Sequence, residues 1–469
     1  MAGATALLSV GAAGVALVAL AGVAPAPGPV TDGDMRVATD RLLGELGAVR
    51  RIPPRGALER RVETRAAARA RRQAELAAAA SPELEARVRL WERLGLLPEG
   101  FGAARALGGA LEAAPIASYD PLGHRLAVPD WIPLPEQRSA LAHALAHALA
   151  DQRFGIRERL EIDLEGHHHL DGDQERARLA LVEGDAALTA LELDDPRGVL
   201  AAGHALVPFA EAIAGAPGPR APAWLRAVAN FTHAGGLAFV ARVRARQPWT
   251  AVDAVWADPP RSSEQVLHPE KYDAREAPVS IPPPAQAFGE AWRVDGDDVL
   301  GELGVRTWLG AALPEIIAER AAAGWGGDRA TLYTRTAGPA PDAGASSDGA
   351  ADAQASDASV SVHDFVAWST VWDDGTDAED FARSAAVALA ALAGDRAEPD
   401  DPHRFVARAG DRTFALAWRG NAVSLLVGAP ESALAGLDAL LPPAPPAPRA
   451  APARFAPGAR ARGTRQPAR

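Results

Sequence analysis

Ser139 to Phe154 reads SALAHALAHALADQRF. Alanine and leucine favour helix, and no glycine, proline or β-branched residue interrupts the run, so the stretch predicts a helix. His143 and His147 then stand four residues apart on one face, where two imidazoles can converge on a single ion. The same spacing also arises when two polar residues sit on a half-buried helix, so the surrounding chain has to decide between the two readings.

In the motif HExxH, paired histidines hold zinc from one helix face, and the Glu after the first His takes a proton from the metal-bound water. Here that position is Ala144. The flanking residues resemble the HELxHALQDQ-F helix of a group of exported bacterial proteins regarded as gluzincin-type metallopeptidases. Leu179 to Ala186, LALVEGDA, is similar to the second helix of that group, and Pro259 to Tyr272, PPRSSEQVLHPEKY, to its PPxSTEQxLHPEKY block. Gly235, Gly236 and Phe239 fit its glycine-and-aromatic helix, while Val299 to Trp308 and Ala321 to Arg329 match two later blocks. The likeness spans residues 110 to 430, and Ala144 is its conspicuous departure.

The resemblance implies that Glu183 is the third ligand beside His143 and His147, with zinc as the cofactor. Three protein ligands with a fourth position open to water is the arrangement of catalytic zinc. The ligand set survives the loss of the base, because Ala144 stands where a proton acceptor would be and not where a ligand would be. General acid–base catalysis contributes ~10²–10⁴-fold, so the chain is expected to have lost most or all turnover. No carboxylate between the histidines offers the inverted HxxEH arrangement. Asp151 and Asp185 are the candidates for orienting an imidazole, and His268 for orienting a ligand or an oxyanion. His167 to His169 reads as an exposed polar loop, and His124, His204, His233 and His363 read as structural.

A net charge of −12 and a pI near 5.5 exclude a nucleic-acid role for the 469-residue chain, and Lys271 is its only lysine. Leu7 to Ala24 is an apolar run that reads as an export signal or, as the alternative, a membrane tether. Together these place the protein outside the cytoplasm, in the periplasm, in the cell envelope or secreted. There is no cysteine, so no disulfide framework is expected.

The expected fold class is α+β: a mostly helical zincin-like core with a β-hairpin edge, followed by a small antiparallel α+β module. Residues 1–26 form the signal or anchor, 27–110 a helical N-terminal region with Gly56 to Ala80 read as one helix, and 111–329 the zincin-like domain. Residues 330–441 form the small module with a disordered insert at 337–359, and 442–469 a disordered Pro/Ala/Arg tail. Ile116 to Val128 is the expected hairpin, the edge on which an extended peptide or protein ligand would lie. Arg261 to Tyr272 is expected as a hydrogen-bonded loop beside the site, and Glu431 to Leu441 as a helix. The functional expectation is a degenerate zinc metallopeptidase-like envelope protein that keeps metal and peptide binding. The alternative is a non-catalytic extracytoplasmic scaffold with a relic site.

Overall fold

The computed structural model describes residues 28–106, 117–162, 170–194, 220–284, 287–336, 363–394 and 403–442. The expected signal segment, the His167 to His169 loop, His204, the 337–359 insert and the tail beyond Pro442 lie outside them. Among the described residues no helix is long and apolar enough to cross a membrane.

The fold is α+β, as the sequence implies. The chain opens with α1 (Asp32–Arg50), whose Thr31 hydroxyl accepts from Asp34 N and whose Arg51 closes it in the left-handed region, φ 65°. A hydroxyl at the first position and a left-handed residue at the last satisfy backbone groups that the helix itself leaves unpaired. Residues read as one helix from Gly56 divide into β1 (Glu59–Glu63) and α2 (Arg65–Ala79). Thr64 caps the helix, and β1 pairs in parallel with β3 (Arg125–Pro129), a distant partner that local helical propensity does not register. After α3 (Pro82–Arg93), β2 (Ser118–Asp120) and β3 form the expected antiparallel hairpin, and the small sheet runs β1-β3-β2.

The two helices that matter most are α4 (Arg138–Phe154) and the long α6 (Gly172–Asp194), with the single turn α5 (Ile156–Arg159) between them. Both are buried on nearly every face, from Ala140 to Asp151 in α4 and along most of α6, which marks them as the helical centre of the molecule. Gly155, at φ 70°, ends α4. One apolar cluster joins α1, the small sheet and α4 through Met35, Leu46, Leu126, Leu141 and Leu145.

Next come α7 (Ala223–Asn230), a π-helical turn at Phe231–Gly235, α8 (Gly236–Arg246) and α9 (Trp249–Ala257). The block expected as a loop instead forms α10 (Ser263–Leu267), capped by the Ser262 hydroxyl, and α11 (Pro269–Ala274). It does carry a hydrogen-bonded network: Ser263 N donates to Asp173 at 2.8 Å, and Lys271 Nζ to Glu264 at 2.5 Å and Asp373 at 2.7 Å.

The second sheet is antiparallel throughout, in the order β4-β5-β6-β9-β8-β7. Its strands are β4 (Trp292–Asp298), β5 (Trp325–Arg335), β6 (Asp364–Trp372), β7 (Arg404–Ala409), β8 (Arg412–Arg419) and β9 (Ala422–Ala429). It begins at Trp292, well ahead of the expected boundary at 330, which itself falls inside β5. Helices α12 (Gly301–Gly310), α13 (Glu315–Ala322) and α14 (Gly375–Ala393) complete the module. A 3₁₀ helix, Glu431–Leu440, stands where an α-helix was expected. Asp328 ties sheet to helix: its buried carboxylate accepts from the backbone of Leu300 and Gly301 and from the indoles of Trp325 and Trp368, at 2.9–3.0 Å. Four donors around one buried carboxylate leave little of its hydrogen-bonding capacity unmet.

Candidate metal centre

Helix α4 presents His143 and His147 toward α6, which presents Glu183. His143 Nε2 lies 3.0 Å from His147 Nε2, and Glu183 Oε2 lies 3.2 Å from the first and 3.4 Å from the second. All three residues are buried, at 2, 8 and 2 % exposure. Their donor atoms fall within 4.8 Å of one another, a group of the kind that can hold a metal ion.

The chemistry of this donor set fits an ion. Ligand bonds of about 2.0–2.1 Å to a tetrahedral ion place neighbouring donor atoms ~3.3–3.4 Å apart, and the separations found bracket that edge. Two imidazole nitrogens in such close contact, with a carboxylate oxygen facing both, can share a cation as they can share a proton, since each ring nitrogen donates or accepts according to its tautomer. Glu183 Oε1 and His143 Nδ1 are buried and have no hydrogen-bond partner, an uncommon condition that calls for a physical reason. Burial lowers the pKa of His143. Burial also works against the Glu183 carboxylate, but His147, His143 and His233 outweigh it and hold that pKa well below the usual range.

Ala144 is 2 % exposed and packs in the apolar cluster of α1 and the small sheet. The expected orienting residues do other work. Asp151 accepts from Tyr119 Oη at 2.6 Å, Ile156 N at 2.7 Å and His124 Nδ1 at 2.8 Å, fastening the end of α4 to the hairpin. Asp185 is bound by Arg50 and by Trp256 Nε1. His268 pairs with Glu302 at 2.9 Å, which raises its pKa. The adjoining α10 contacts α6 through Asp173, on the same helix as Glu183 but nearer its start. These bonds tie Asp151, Asp185 and His268 to other elements, because nearness in the chain does not fix which way a side chain turns.

His233, expected to be structural, belongs here. Its Nε2 stands 3.7 Å from Glu183 Oε2. It sits in the π-helical turn before α8, an irregularity found often at functional sites. No spacing motif announced it; the one available signal was the pair Gly235-Gly236 inside a helical pattern, which marks a close backbone approach.

A second acidic group, Glu264, Glu276 and Asp373, surrounds Lys271 Nζ, so an ammonium already supplies its counter-charge.

Residues 291–438 match a family described as a domain of unknown function, DUF8575. The match runs from the start of β4 into the 3₁₀ helix, so it coincides with the six-stranded module and leaves the histidine–glutamate group outside it. No curated protein and no solved structure matches the chain.

Proposed function

We propose that this protein is a zinc-binding, metallopeptidase-like protein of the cell envelope that has lost peptide hydrolysis. The observation that carries the reading is the convergence of His143, His147 and Glu183 at 3.0–3.4 Å with alanine at position 144. His143, His147 and Glu183 would hold the ion. When bound, zinc polarises an oxygen ligand and lowers the pKa of water to about 7. This chain offers no carboxylate after His143 to accept the proton, so the metal serves binding or architecture. The small sheet contributes the peptide-binding edge, because β2 and β1 each have one side unpaired among the described residues. Export follows from the apolar run Leu7 to Ala24.

The scaffold reading has its own support: α4 and α6 are buried almost all round and are cross-linked by the donor group. Metal content measured by mass spectrometry on untagged protein tests the main reading. About one zinc per chain is expected, lost in His143→Ala and kept when His167 to His169 are replaced by serine. No metal in the wild type, or loss only with the triple replacement, would sink it.

A further inference from the structure

His233 reaches the centre because two helix backbones touch. A Cβ on Gly236 would collide with the Ala180 carbonyl oxygen, and one on Gly184 would collide with that of Gly236. Glycine at both positions lets α8 and its π turn approach α6 at the residue next to Glu183. The imidazole is also set chemically. His233 Nδ1 lies 2.9 Å from Ala229 O. A carbonyl can only accept, so Nδ1 carries a proton, and in the neutral ring Nε2 is left with the lone pair. That Nε2 is buried and has no hydrogen-bond partner. A histidine whose outer nitrogen donates to a backbone carbonyl while the inner one points free has the form of a metal ligand with its supporting bond.

We propose that His233 is the fourth protein donor, making the centre a closed three-histidine, one-glutamate site for a tetrahedral divalent cation. The inference rests on the metal-binding reading above and deepens it: a centre with four protein ligands has no position for activated water, which is the pattern of structural zinc. The carboxylate oxygen that lies 3.2 and 3.4 Å from His143 and His147 is the one 3.7 Å from His233. His233 stands outside the set whose donors are all within 4.8 Å of one another, so ligation requires the turn that carries its ring to shift inward together with the Ala229 carbonyl, the Nδ1–O bond being kept. The other three donors are buried, and the His233 side chain is only 11 % exposed, leaving water little access to compete. A closed site also accounts for alanine at position 144, since a base has nothing to act on.

Cobalt(II) substitution of the full chain, followed by azide titration in the visible region, tests this without relying on activity. The wild type is expected to bind one cobalt with an intense four-coordinate spectrum that azide leaves unchanged. His233→Ala and His233→Gln are expected to keep cobalt at an affinity at least about tenfold weaker, and azide should now shift their spectra. An azide response in the wild type overturns the closed site, and that arm needs no variant. Unchanged affinity and spectrum in both His233 variants, with native circular dichroism, overturn it as well. A wild type that takes up no cobalt removes the metal-binding reading itself, and is distinguished by that from the other outcomes.

Discussion

Arg50 closes a two-point bond with Asp185: Nε and Nη2 donate to the two carboxylate oxygens at 2.7 and 2.9 Å, with both side chains 2 % exposed. Arg50 ends α1 and Asp185 stands just past Glu183, so the bond fastens the carboxylate-bearing helix to the N-terminal one. Asp253 takes a third guanidinium bond at 2.7 Å, and the Trp249 ring lies 4.4 Å from the guanidinium carbon, close enough for the ring face to attract the cation. Breaking a buried pair strands a charge, so Arg50→Ala is expected to cost about 3–5 kcal/mol in urea denaturation. Arg50→Lys should recover little of it, because an ammonium cannot satisfy two oxygens in a plane. A lysine variant as stable as wild type would show that charge alone matters there.

The Gly184–Gly236 crossing predicts a coupled loss. Gly236→Ala places a methyl group against the Ala180 carbonyl, and backbone cannot retreat as a side chain can. The expected cost is about 1–3 kcal/mol, and metal affinity should fall with it because the π turn carrying His233 is pushed away from Glu183. Gly44→Ala, on α1 with nothing within 4 Å, is the control, expected to gain up to about 1 kcal/mol of stability, as alanine does over glycine inside a helix, and to leave metal uptake unchanged. Metal affinity unaffected by Gly236→Ala would detach His233 from the crossing.

How much of this the sequence disclosed follows from how local each relationship is. His143 and His147 were legible because helical spacing alone sets them together, and Glu183 because its helix carries a recognisable block. His233 was hidden, since its place depends on two glycines far apart in the chain, in a helix crossing that no periodicity records. Likewise β1, with charged residues at four of five positions, has the composition of a helix start, and only its parallel partner β3 makes it a strand. Asp151 and Asp185 were placed on the correct helices but turn to Tyr119 and Arg50, partners supplied by other elements.

Asp173 gives the molecule a pH dependence. Burial pushes its carboxyl up to about 7, against the pull of Arg176 and Ser263, and its Oδ1 has no hydrogen-bond partner. A folded pKa above the unfolded value of 3.8 means that the native state holds a proton the unfolded chain has released between these limits. The stability it contributes is therefore full below about pH 4 and is lost as pH rises through about 7, a change on the order of a few kcal/mol. Asp173→Asn keeps an acceptor for Ser263 N without the titration, so its stability should vary less between about pH 4.5 and 8 than that of the wild type. Denaturation curves at the two pH values check this; equal slopes for the two proteins would mean that Asp173 is ionised throughout.

Restoring a glutamate at position 144 separates a missing base from a closed metal. Ala144 is 2 % exposed and lies among Leu141, Leu145 and Ala148. Ala144→Glu therefore buries a carboxyl in an apolar cluster and is expected to destabilise the fold by about 2–4 kcal/mol. With His233 on the ion there is still no bound water to deprotonate, and peptide hydrolysis should stay at background. His233→Ala alone opens the position without a base. Only the pair Ala144→Glu with His233→Ala provides both, and that double variant is the one expected to show turnover, exceeding either single variant by up to the ~10²–10⁴-fold that general-base catalysis supplies. Hydrolysis by Ala144→Glu alone, in zinc-loaded protein, would mean that the wild-type ion already carries water and that the base was the only part lost.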